Sequence, residues 1–229
     1  MREKVIRVKD AVEVIYEDWR WSLLHSLREK AREIMKKIPY ESFVHGSVAR
    51  GDVKEGSDVD IVIPYPVPTY SVEILFPNIY DRVIVMATPN TVPKAHIYLE
   101  EKVSITIPLV KFSRREEEFY SFAGKVGLED ILNGRRVMGV NKKLLAIEPT
   151  ERGHIEYSII GREGAVAKKL NIGLDVVEER IRVLTTRDKI GRTGVFLKTR
   201  PAEDESFEEH LEKISHRNPA VKRIMEERG

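Results

Sequence analysis

The sequence predicts an α+β protein, a mixed sheet with flanking helices followed by a small C-terminal winged-helix-like unit. Three observations carry that expectation. From Ala11 to Ile38, apolar residues recur at mostly three- and four-residue spacings; short β-branched runs punctuated by proline then fill the chain to about residue 112; and paired helical patterns return after residue 161. The first is the period of an amphipathic helix, and the second is the signature of buried strands.

Val12, Ile15, Trp19, Leu23, Leu27 and Ile34 mark the inward stripe of the first helix, with Asp10 as its N-cap and Pro39 beyond its end. A short strand from Ser42 to His45 runs into Gly46-Ser47, and a second, Val59 to Pro64, is apolar apart from Asp60. Prolines 64, 66, 68 and 77 make the next stretch a loop. A third strand follows at 82–88, and 94–101 with 102–110 reads as a hairpin. Residues 113–134 are helical and charged, and the two runs flanking Glu151-Arg152-Gly153 form another hairpin. Helices are expected at 162–171 and 175–189, a short strand in "GVFLKT", and one last amphipathic helix over 206–228. The expected divisions are 1–112 for the sheet domain, 113–160 for a helical and hairpin connector, 161–200 for the winged-helix-like unit and 201–229 for a helical tail.

Composition narrows the function classes. Hydrophobic residues make up 41% and charged residues 33%, a globular balance. With no cysteine, disulfides, thiolate metal sites and cysteine nucleophiles are excluded. No histidine pair has metal-ligand spacing, although His45 and His96 fall near the site considered next. Glutamine is also absent, and abundant Lys, Arg and Glu lean towards a heat-adapted protein. No apolar run is long enough to span a bilayer and the amino terminus carries no signal-peptide pattern, so a cytoplasmic location without membrane partners is expected.

The chemistry concentrates in "HGSVARGDVKEGSDVDIVI", His45 to Ile63. Asp58 and Asp60 are two apart at the mouth of a strand, so alternation puts both side chains on one face. Two adjacent carboxylates repel unless a cation lies between them, and Mg²⁺, with its preference for hard oxygen ligands and substrate phosphates, is the natural occupant. Upstream, the Gly46-Ser47 turn can cradle a phosphate, Arg50 supplies positive charge, Gly51 turns the chain back, and Ser57 orients the loop before Asp58. A nucleoside triphosphate with magnesium satisfies both halves.

Gly46-Ser47, Arg50-Gly51 and Ser57-Asp58-Val59-Asp60 together resemble the GS…RG…SDxD signature of the nucleotidyltransferase superfamily, which includes DNA polymerase beta, CCA-adding enzymes and small bacterial and archaeal transferases. The resemblance covers roughly residues 30–110. It implies a nucleotidyltransferase-like sheet and transfer of an NMP group from an NTP to an acceptor, with nucleic acid a candidate. It also implies Asp58 and Asp60 as catalytic metal ligands in a two-metal Mg²⁺ site, and Gly46, Ser47, Arg50 and Ser57 as nucleotide-binding residues. The chain departs from the family at the third carboxylate, whose place falls at Thr106 or, on the same face, Ser104; Glu100 and Glu101 are the nearest acids.

Two other readings follow from the remaining chain. "AVAKKLNIGLDVVEERIRVL" reads as a helix-turn-helix, leaving Arg180, Arg182, Arg187, Lys189 and Arg192 for phosphates of DNA or RNA, with "TGVFLKT" as a wing. Residues 161–200 carry ten Lys/Arg against five Asp/Glu, in keeping with that role. A nucleotide-binding, DNA-binding regulator with a degenerate transferase site is therefore the alternative. A protein-modifying transferase of a toxin–antitoxin pair is a third.

Overall fold

A computed structural model describes residues 4–191 and 194–229. The chain runs β1 (Val12–Ile15), α1 (Asp18–Lys37), β2 (Phe43–His45), α2 (Ser47–Arg50), β3 (Val59–Val62), α3 (Tyr70–Glu73), β4 (Asp81–Met86), β5 (Lys94–Glu100) and β6 (Val103–Pro108). It continues with α4 (Arg114–Ala123), β7 (Lys125–Gly127), α5 (Leu128–Leu132), β8 (Gly139–Val140), β9 (Leu145–Thr150), β10 (Gly153–Ser158), α6 (Glu163–Leu170), α7 (Leu174–Ile190), β11 (Leu197–Thr199), α8 (Phe207–Ser215) and α9 (Pro219–Arg228). The architecture is α+β, a mixed sheet with flanking helices. Among the described residues, no helix is long and apolar enough to cross a membrane.

Two compact units share the chain, each assembled from three separate stretches. The first takes Met1–Glu33, Val44–Val59 and Arg114–Thr193; the second takes Ile34–Phe43, Asp60–Ser113 and Gly194–Gly229.

In the first unit a four-stranded antiparallel sheet has the order β1-β10-β9-β8. The β9–β10 hairpin pairs Thr150 with Gly153, and β1 pairs Val12 with Glu156. One apolar cluster joins this sheet to the helices, bringing Phe122 of α4, Ala146 of β9, Tyr157 of β10, Val166 of α6 and Val177 of α7 together. In the second unit β11 pairs antiparallel with β4, β4 with β5 and β5 with β6. All six residues of β6 are buried, and Ile61 and Val62 of β3, Ile84, Ile97, Ile105 and Ile107 are sealed from water. Burial along the whole of β6, Ser104 and Thr106 included, is what a sheet covered on both faces requires.

Three sequence expectations are corrected. The helix expected from Ala11 begins at Asp18, and Val12–Ile15 is strand β1. "VEVI" alternates β-branched residues, and its ladder to β10 outcompetes a first helical turn. The single helix expected over 206–228 is two. Asn218 accepts hydrogen bonds from the amides of Ala220 and Val221, and Pro219 opens α9 where a missing N–H costs nothing. The strand expected as a wing, Leu197–Thr199, is an edge strand laid against β4 rather than a hairpin beside α7.

Candidate active site

Backbone geometry builds the turn after β2. Gly46 adopts φ 80° and ψ −142°, open to glycine alone without strain. Its amide donates to Gly124 O at 2.9 Å, and its carbonyl accepts from the amides of Ala49 and Arg50 at 3.1 and 3.0 Å. The single turn of α2 follows and closes at Gly51, whose φ is 104° and whose amide donates to Ser47 O at 2.7 Å. A Cβ on Gly51 would lie 2.7 Å from Arg136 Cδ, so glycine is fixed there by both dihedral and space.

Ser47 and Ser57 meet through their side chains. The Ser47 hydroxyl donates to Ser57 Oγ at 3.4 Å, and Ser57 Oγ accepts from the Lys54 amide at 3.0 Å. The two hydroxyls thus tie the Gly-Ser turn to the loop that leads into β3. Asp58 is exposed, Val59 is buried and Asp60 is half-buried. That alternation follows from an extended chain with both carboxylates on its open face.

Arg50 is engaged within the fold. Only 5% exposed, it grips Asp52 with Nε and Nη2, each at 3.0 Å, and donates from Nη1 to Ala123 O at 2.5 Å. Both edges of its guanidinium are engaged, so Arg50 braces the turn from beneath.

Arg28 is the site residue that sequence reasoning missed. Buried in α1, it donates from Nε to Val48 O at 3.0 Å, and from Nη2 to Ala49 O at 3.1 Å and Arg135 O at 2.8 Å. One guanidinium thereby satisfies carbonyls at the end of α2 that no helical partner can reach. Burial, and then the neighbouring charge of Arg136, lowers its pKa to about 10, which leaves it charged at neutral pH. The signal was present: Leu24, Ala31 and Met35 are buried on the same helix face, and Arg28 lies in their row.

In the second unit, Ser104 Oγ donates to Asp60 Oδ1 at 2.8 Å. Thr106 Oγ1 is 2.9 Å from His96 Nδ1 instead. The β5–β6 register sets His96 opposite Thr106 and Tyr98 opposite Ser104, so these side chains share one face. The place beside Asp60 is therefore held by the Ser104 hydroxyl. Glu100 is opposite Val103 at the hairpin end and Glu101 is in its turn, both exposed. Among the described residues, no group of three or more acids and histidines is arranged to hold a metal ion.

Of the basic residues expected to meet nucleic acid, Arg182, Arg187 and Lys189 are exposed on α7. Arg180 is folded inward against Phe119, its guanidinium carbon 4.9 Å from the ring centroid. Arg192 lies outside the described residues.

No curated protein and no solved structure matches the chain. Residues 25–124 match the family model described as nucleotidyltransferase domain, a span that contains Arg28, the Gly46-Ser47 turn, Arg50, Ser57 and both aspartates. That stretch, less than half of the chain, is similar to the nucleotidyltransferase domain and supports a place in that superfamily.

Proposed function

We propose that the protein transfers an NMP group from an NTP to an acceptor hydroxyl with Mg²⁺. The observation that carries this reading is that one family match spans the Gly-Ser turn and the aspartate pair together, with Asp58 and Asp60 flanking a buried valine on an extended chain. In the reaction the acceptor oxygen bonds to the α-phosphorus, the bond from that phosphorus to the bridging oxygen breaks, pyrophosphate leaves, and the hydroxyl proton is lost to solvent. The Gly46-Ser47 turn, tied to Ser57, holds the phosphates in line. Asp58 and Asp60 would hold Mg²⁺, whose contribution is to neutralise charge developing on the phosphoryl oxygens. Arg50 and Arg28 keep the turn in shape.

Labelled NTPs with Mg²⁺, alone and with total RNA, test the proposal. Pyrophosphate release with label on RNA supports nucleic acid as acceptor, and label on protein supports protein modification. No pyrophosphate with any NTP sinks the transferase reading.

The Ser104 hydroxyl beside Asp60 favours a second reading, a nucleotide-binding regulator. It lacks the charge to hold a second metal. Ser104→Asp should lower the melting temperature without metal, because two carboxylates then share one site. MgCl₂ should restore it by binding only the folded state. A thermal scan showing no magnesium-dependent gain over the parent would refute that role for position 104.

A further inference from the structure

Arg180 presents a physical anomaly. Its side chain is mostly withdrawn from water, and its Nε is buried with no hydrogen-bond partner. Arg28, Arg50 and Arg136 each donate to carbonyls or to Asp52. The Arg180 head group stacks on Phe119. Burial, and then the charge of Arg187, lowers its pKa to about 10, with Glu179 opposing, so it remains a cation at neutral pH. A cation withdrawn from water with an unpartnered Nε is costly, and its fork geometry suits an anion such as phosphate.

Position gives the anomaly a purpose. The Phe119 ring meets the His45 ring edge-on at 6.4 Å and the Tyr120 ring at 5.3 Å, while Tyr120 and His45 are 5.0 Å apart. His45 immediately precedes Gly46. A continuous aromatic layer therefore leads from the Gly-Ser turn to the guanidinium of α7.

We propose that Arg180 binds the outer phosphates of the nucleoside triphosphate held at the Gly46-Ser47 turn, supplying the charge that Arg50, committed to Asp52, does not. The proposal rests on the NTP reading above. Arg187, exposed two helical turns further along α7, adds only diffuse positive potential.

The test uses the full chain, its Arg180→Met and Arg180→Lys variants, and inorganic tripolyphosphate as probe. Tripolyphosphate should raise the melting temperature of the parent. Arg180→Met should bind it about tenfold to a hundredfold more weakly, the loss expected for a hydrogen-bonded charge. Arg180→Lys should recover part of that affinity, keeping the charge but not the fork. Without anion, Arg180→Met should melt at or above the parent temperature, since methionine fills the space without a buried charge. Should Arg180→Met fail to fold, Arg180→Lys carries the comparison. Equal tripolyphosphate binding by parent and variants, or none by the parent, overturns the proposal. So does a variant that keeps tripolyphosphate but loses a short single-stranded RNA with a 5′ hydroxyl, which would assign Arg180 to backbone phosphates. If the parent binds tripolyphosphate through Arg180 yet turns over no NTP, the anion site stands and the transferase reading fails.

Discussion

Asp60→Asn should lower NMP transfer at least about a hundredfold, the scale of removing a group that stabilises transition-state charge, while the protein keeps its fold. Asparagine retains an oxygen where Asp60 Oδ1 accepts the Ser104 hydroxyl, so the strand contact survives. The negative charge is lost, and with it the means of holding Mg²⁺ next to phosphate. Pyrophosphate release measured beside a thermal melt separates the two effects. Parent-like turnover in the variant would remove Asp60 from the chemistry. A collapsed melting temperature would instead make it a structural residue.

The second large effect concerns Arg28. Arg28→Ala should destabilise the protein by about 3 kcal/mol, the cost of stranding buried acceptors. The Val48 and Arg135 carbonyls lose their donor, while Ala49 O keeps the Val137 amide at 3.3 Å. For a chain of this size that corresponds to a fall in melting temperature of about 6–12 °C. Arg28→Lys should fall between parent and alanine, because an ammonium cannot span three carbonyls in a plane. A shift of under about 2 °C for the alanine variant would show that the turn at Gly46 stands without its clamp.

Much of the site was legible because it is local. Gly46, Ser47, Gly51 and the Asp-Val-Asp triplet declare themselves through turn chemistry and alternation, which need only neighbouring residues. What the sequence left open was long-range. Thr106 and Ser104 are two apart on one strand, so both face the same way, and no hydrophobic pattern can choose between them. Register decides it: Ser104 reaches Asp60 and Thr106 reaches His96. Arg50 looked like a phosphate ligand because its motif position says so, yet Asp52 and Ala123 claim it. Val12–Ile15 passed for helix because its partner, β10, lies more than a hundred residues downstream. The "LKT" strand was equally ambiguous, since a wing and a sheet edge have the same residues and differ only in what they pair with.

The threading of the chain between its units has a consequence for how the protein comes into being on the ribosome. The first unit needs chain from the amino-terminal third through Arg114–Thr193, and the second needs Gly194–Gly229 to join Asp60–Ser113. Neither can close early in synthesis, because each waits for a segment far downstream of its first. Strand β1 must remain unpaired until β10 has emerged. The nascent chain therefore exposes β-branched, sheet-ready segments for most of translation, the circumstance in which folding is slow and chaperones matter most. Severing the gene at a linker would not yield two autonomous halves, because neither unit is encoded by one uninterrupted stretch.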